Sequence, residues 1–255
     1  MSDHACGTSR PGLFQNVLNH CALGVIVSLF SASSFAKDVL PIFYASMLPA
    51  KDRQDVIKRD LAKDDFDPMV FAKYRDFISQ VETSSPLVVI APASFQRQHS
   101  DYHPILRFSE GTTEEFKYLL LSLTNTWTPK SAATGRLGMV EELDRDHLKE
   151  TASEAFGVNF KMVKSVSKLE DLFPLLVFKS ADFIMISPEN YERLKERFSA
   201  KLYIVMEGKP VSRPMVFTKT GADSGAVTEK LKAMPPAVLT ALGFSGIGPV
   251  GKASP

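Results

Sequence analysis

The chain of 255 residues reads as an α/β protein of two lobes joined by two extended crossovers. Three observations predict this. Short, almost continuously apolar runs alternate with amphipathic stretches, the pattern of a mostly parallel sheet covered by helices on both faces. The alternation breaks twice, at extended segments 102–124 and 210–220, where no helix intervenes. The chain beyond residue 36 is long enough to build two small cores.

The N-terminal segment reads as an export signal. An apolar run, 22–30, leads into small residues ending at Ser34 and Ala36, then into Lys37 and Asp38. The run is shorter than the ~20 apolar residues of a membrane-spanning helix, and the small-x-small ending places cleavage after Ala36. Arg10 is the one Lys or Arg before the run and is offset by Asp3; Cys21 precedes the run, which excludes a lipoprotein signal. Cleavage at this point removes Cys6 and Cys21, so the remaining chain carries no disulfide and no cysteine nucleophile. The full chain, with 44% hydrophobic and 23% charged residues and a net charge of +1, has no basic block for nucleic acid.

Segment 39–46 is an apolar strand, followed by a helix over 51–63 with Val56, Ile57 and Leu61 on one face. A second strand covers 66–74, a helix 75–83 carries Phe77, Ile78 and Val81, and 87–90 is a buried strand opening into the turn 91–94. Strands at 102–108 and 116–124 complete the first lobe, 37–124, and the polar, turn-rich stretch 125–136 marks the change of lobe. The second lobe, 125–209, alternates strands (137–140, 160–166, 183–186, 202–206) with helices (145–156, 169–178, 188–198). Pro188 suits a first helical turn, where its missing N–H costs nothing. Segment 210–220 returns to the first lobe, a helix over 224–242 closes it at 245, and 246–255 is a flexible tail. There is no short-period internal repeat.

Several pieces, in order, resemble the phosphate- and phosphonate-binding components of ABC importers, a branch of the type II periplasmic binding proteins. They are Ala72, Lys73 and Tyr74; 87–94; 102–106; 180–184; 212–216; and Leu242, Gly243 and Phe244. The resemblance spans the chain beyond the leader. It implies a periplasmic monomer that captures a small polar or charged solute in an interlobe cleft for an inner-membrane permease or a sensor, without catalysis and without a cofactor.

The resemblance also locates a candidate site and shows where this chain departs from it. The family holds its anion on a Ser-Thr-Ser-Gly turn at a helix N-terminus, where N–H groups and the helix dipole favour negative charge. The matching positions here are Asp144, Arg145, Asp146 and His147, preceded by Glu141 and Glu142, so carboxylates replace hydroxyls and phosphate is expected to bind poorly. Asp144 or Asp146 then reads as a helix cap. Tyr74 and Glu189 fall where the family has a tyrosine contact and an acidic contact, Ser94 lies in the turn after the third strand, Ser167 replaces a histidine, Arg213 an aspartate, and Phe116 is the crossover aromatic. Arg213 and Arg145 suit a carboxylate or other anion; Glu141, Glu142, Asp144 and Glu189 suit an amine or cation. The hydroxyl-rich stretch 126–134 is the other place for an anion nest, should it fold into the cleft. Loss of the original donors leaves a second reading open, a binding fold with a decayed pocket that acts as an interaction module in the cell envelope.

Other patterns carry no chemistry. The glycines at 246, 248 and 251 match G-x-G-x-x-G but open no helix. His99, Asp101 and His103 sit on a short polar stretch without a further nearby ligand for zinc. No G-x-S-x-G nucleophile elbow is present.

Overall fold

The computed structural model describes residues 37–43, 50–61, 66–141, 145–197 and 201–250. The segment read as an export signal, 1–36, lies outside them. The first part of the chain forms β1 (Asp38–Phe43), α1 (Ala50–Leu61), β2 (Phe66–Phe71), α2 (Tyr74–Ser84), β3 (Val88–Ala91) and β4 (Tyr102–Ser109). Then come β5 (Glu115–Ser122), α3 (Pro129–Thr134), β6 (Arg136–Val140), α4 (Arg145–Phe156), β7 (Met162–Val166), α5 (Leu172–Val177), β8 (Phe183–Ile186), α6 (Pro188–Arg197) and β9 (Tyr203–Ser212). The chain ends with β10 (Met215–Lys219), α7 (Ser224–Lys232), α8 (Pro236–Leu242) and β11 (Gly246–Pro249). Among the described residues no helix is long and apolar enough to cross a membrane.

Two mixed sheets define the two lobes. The first runs β11-β4-β10-β3-β1-β2 and the second β7-β6-β8-β5-β9. In each, parallel strands form one side (β1 with β2 and β3; β6 with β7 and β8), and antiparallel partners complete the other. Alternation along the strands sends successive side chains to opposite faces, which accounts for two apolar clusters per sheet. Leu40, Ile42, Val88 and Ile90 pack beneath α1 and α8, whereas Phe43, Val89 and Ala91 pack with Phe77, Phe95 and Phe217 on the opposite face. In the second sheet Leu120 and Met139 share a cluster with α4, and Leu119, Leu121 and Val140 share one with α5.

The pairing moves the lobe boundaries expected from sequence. Strand β5 is central to the second sheet, hydrogen-bonded to β8 and β9, so the chain leaves the first lobe after β4 rather than after residue 124. There its uninterrupted Leu119-Leu120-Leu121 run is covered on both faces, by the cluster that includes α4 on one and the cluster that includes α5 on the other. Segment 203–212 is one strand along β5, so the return to the first lobe occurs at Arg213 and Pro214, not at 210. The stretch 125–136 is no lobe boundary: Thr128 and Ser131 form a reciprocal capping box that starts α3 within the second lobe. The terminal helical region, 224–242, is two helices, because Pro235 and Pro236 remove the N–H groups a continuous helix needs.

The tail expected from 246 onward instead begins with β11, an edge strand antiparallel to β4. Gly246 permits this approach, since a Cβ there would lie 2.6 Å from the Ser109 hydroxyl. At the other extreme of β2, Tyr74 opens α2 rather than ending the strand.

Arg136 and Asp182 pin the starts of β6 and β8. The Asp182 carboxylate accepts from Arg136 Nε at 3.0 Å, Nη2 at 2.9 Å and the Arg136 backbone N–H at 2.8 Å. These bonds, the guanidinium's first, hold the Asp182 pKa below its ordinary value. A depressed carboxylate stabilises the fold above its unfolded pKa of about 3.9 and loses that contribution as pH falls through the folded value. Asp182→Asn is therefore expected to cost about 1 kcal/mol at pH 7, a figure kept low because the pair is solvent-accessible. Urea unfolding at pH 7 and pH 3 checks it, with the difference between the two proteins shrinking at the acid end.

Candidate functional site

The carboxyl ends of β1, β3, β6 and β8 face one another between the sheets, the position where open α/β sheets place ligands. A cavity of about 100 Å³ lies there, lined from the first lobe by Phe43, Pro92 and Phe244, from the second by Met139, Met185 and Ile186, and from the crossovers by Phe116, Ser212 and Arg213. Its wall is mostly apolar. Among the described residues two charged side chains line it, Arg213 and Glu189.

Arg213 sits on the β9–β10 crossover. Its backbone N–H donates to the Glu114 carbonyl at 3.0 Å, and Phe108 N–H donates to the Pro214 carbonyl at 3.2 Å, so the two crossovers are tied side by side. Arg107 Nη1 adds a bond to Glu114 Oε2 at 2.9 Å. The Arg213 guanidinium donates through Nη1 to Glu189 Oε1 at 2.8 Å and lies 5.6 Å from the centre of the Phe116 ring, a cation–π distance. Arg213 is only 7% exposed, and its buried Nε has no hydrogen-bond partner. Glu189 stands in the first turn of α6, where the positive end of the helix dipole favours a carboxylate. Its side chain is 36% exposed, far more than the 8% of the Arg213 side chain.

A second cavity, about 590 Å³, is lined from the first lobe by residues that include Tyr74, Gln98 and His99 and from the second by Glu141. Tyr74 is buried against Phe43 and donates to Gln98 Oε1 at 3.4 Å. Gln98 Nε2 in turn lies 3.4 Å from His147 Nδ1, and Arg97 forms an ion pair with Glu154 at 2.5 Å. These contacts join the short 3₁₀ turn Ala93–Arg97 and Gln98 of the first lobe to α4 of the second.

Of the residues expected at the site, Phe116, Glu189 and Arg213 therefore meet in one cavity, while Tyr74 lines the second. Ser94 is half-buried on the 3₁₀ turn and Ser167 is exposed on the bend after β7; neither lines the cavity. Helix α4 begins at Arg145, as expected, but the side chains of Arg145 and Asp146 and the whole of Glu142 and Asp144 lie outside the described residues. The hydroxyl-rich stretch does not fold into the cleft. Thr126, Ser131 and Thr134 line a groove beside Arg136 and Phe183, which start β6 and β8, whereas the cleft lies at the other ends of those strands.

Sequence reasoning did not single out Phe43, Met139, Met185 or Phe244 as cavity-lining. Position at a strand's carboxyl end is the signal that finds the first three. His99 lies flat on Phe95, ring centres 4.2 Å apart, and burial pushes its pKa down. No group of three or more His, Cys, Asp or Glu among the described residues is placed to hold a metal ion.

The two-lobed α/β fold is like that of the type II periplasmic binding proteins. Solved structures with the same fold include the XAC2383 protein of Xanthomonas citri bound to ATP, with a TM-score of 0.59 at 14% identity over 84% of this chain and 91% of that one. Another is the binding-protein component of a phosphonate ABC transporter from Pseudomonas aeruginosa, at TM-score 0.57 and 11% identity over 84% and 82%. A third is the amino-acid ABC transporter substrate-binding protein AbpA of Streptococcus pneumoniae bound to L-arginine, at 0.52 and 13% over 82% and 96%. No protein-family model matches the chain, and no curated protein matches it in sequence.

Proposed function

We propose that this protein is a periplasmic solute-binding protein, exported by residues 1–36, that captures a small polar molecule in the interlobe cleft and delivers it to an ABC-type importer or a sensor. One observation carries the reading: a guanidinium, 7% exposed, at the junction of the two crossovers, with a buried Nε donor left unpaired inside an aromatic-walled cavity. A charge in such a place is costly unless it has partners, and a ligand acceptor supplies one. The fold's neighbours that bind phosphonate or amino acids for ABC transporters support the same role. Burial of the ligand needs movement at the crossovers, since the cavity of about 100 Å³ is below the roughly 300 Å³ at which small-molecule sites begin.

Thermal-shift screening against amino acids, amines, carboxylates, phosphate and phosphonates tests this. A ligand present at about one hundred times its Kd stabilises the folded state by about 2.7 kcal/mol, which is a rise of several degrees in Tm for a chain of this size. Phosphate and phosphonates are expected to give none, because Arg213 is the only cation among the described residues lining the cavity and Glu189 already neutralises it. The absence of a shift with every solute at millimolar concentration would sink the reading.

The small cavity, with the guanidinium already on Glu189, favours one second reading: an interaction module on a decayed pocket, acting in the cell envelope. A pulldown from envelope extracts discriminates the two. Partner capture unchanged by Arg213→Ala and Tyr74→Ala supports the module, and capture lost in both variants argues for a ligand-dependent receptor.

A further inference from the structure

Resting on the solute-binding reading, we propose that the cleft selects a zwitterion, one carboxylate and one ammonium on a short apolar body, of which an α-amino acid with an aliphatic or aromatic side chain is the simplest. The ligand carboxylate takes the place of the Glu189 carboxylate on Arg213, and the ligand ammonium takes the place of the guanidinium on Glu189.

The argument is one of charges that cannot be stranded. Glu189 and Arg213 are paired at 2.8 Å and are the only charged side chains among the described residues lining the cavity. A monoanion that displaces Glu189 from Arg213 leaves a carboxylate without its partner; a cation that displaces Arg213 leaves a guanidinium buried alone. Removing one member of a buried pair is the expensive change, because the other stays desolvated. A zwitterion exchanges one pair for two and strands neither. A phosphate dianion brings two negative charges to one guanidinium, and a neutral solute leaves the pair closed over the cavity.

Burial ranks the half-molecules. The Arg213 side chain is 8% exposed and that of Glu189 36%, so water can take over the carboxylate but not the guanidinium. The expected order is therefore zwitterion, then monocarboxylate, then amine. The buried Arg213 Nε, without a partner, is a further donor for the bidentate grip that a carboxylate accepts from a guanidinium. The larger, apolar part of the wall, with Phe43, Phe116, Met139, Met185 and Phe244, favours an apolar ligand tail.

The test is calorimetric titration of the purified protein with leucine, methionine and phenylalanine, and with 4-methylpentanoate and 3-methylbutylamine, which are leucine without its ammonium and without its carboxylate. At least one of the three amino acids should bind. For leucine, loss of the ammonium is expected to weaken binding about tenfold and loss of the carboxylate about a hundredfold. Glu189→Gln, nearly isosteric, should reverse the first preference so that 4-methylpentanoate binds more tightly than leucine. Equal binding of leucine and 4-methylpentanoate to the unaltered protein, or an amine that binds best, overturns the zwitterion while leaving solute binding intact. So does binding of some other solute class with none of the amino acids. Silence from every solute in the thermal-shift screen removes the parent reading and this one with it. The comparison on the unaltered protein stands by itself if the variant does not fold.

Discussion

Phe95→Ala is expected to destabilise the protein by about 3–5 kcal/mol, the cost of truncating a fully buried phenylalanine. Phe95 is 0% exposed and is the hub of the aromatic cluster beneath the first sheet, with ring centres 5.8 Å from Phe77, 5.5 Å from Tyr102, 5.4 Å from Phe217 and 4.2 Å from His99. It also anchors the 3₁₀ turn that brings Arg97 and the following Gln98 against α4 of the second lobe. Denaturant unfolding gives the free energy, and a change below 1 kcal/mol would show that the cluster collapses around the loss. The Tyr102 phenol supplies a local readout. Burial, with a smaller push from the Asp101 charge, raises its pKa to about 12. A phenol whose folded pKa exceeds its unfolded value of about 10 lends stability that is full below pH 10 and fades as pH rises towards 12. Water admitted by Phe95→Ala should move the alkaline absorbance titration of Tyr102 back towards pH 10.

Glu189→Ala is the second large effect, and it is not symmetric with changes at Arg213. Removing Glu189 strands the guanidinium behind Phe116, and breaking a fully buried pair in this way costs about 3–5 kcal/mol. Water reaching the half-exposed Glu189 position offsets part of this, so about 2–3 kcal/mol is expected. Arg213→Met removes the buried charge, keeps apolar contact with Phe116 and leaves Glu189 near solvent. It should cost about 1 kcal/mol. The double variant should be more stable than Glu189→Ala alone, and the cycle isolates the coupling between the two side chains. Equal losses from the two single variants, adding in the double, would show that the pair is energetically independent and would remove the basis for ranking ligands by stranded charge.

The apolar runs and helical spacing by themselves determined most elements and the two-lobe α/β class, because periodicity is a local property that folding seldom reverses. The lobe to which an element belongs is not local. Segments 116–124 and 210–212 read as first-lobe strands, yet β5 and β9 pair in the second sheet, whose two apolar clusters take up both faces of Leu119, Leu120 and Leu121. Gly246, Gly248 and Pro249 have tail-like composition, yet β4 offers an open edge and Gly246 fits against Ser109. The same division holds at the site. Phe116, Glu189 and Arg213 were legible as candidates by their types and by family resemblance, but their charges gave conflicting demands on a ligand. Only the tertiary structure set a carboxylate and a guanidinium 2.8 Å apart in one apolar cavity, and it placed Ser94, Ser167 and the threonine-rich stretch elsewhere. Local sequence sets which groups a segment carries; long-range strand pairing sets which groups meet, and in this fold the cleft is made wholly of such meetings.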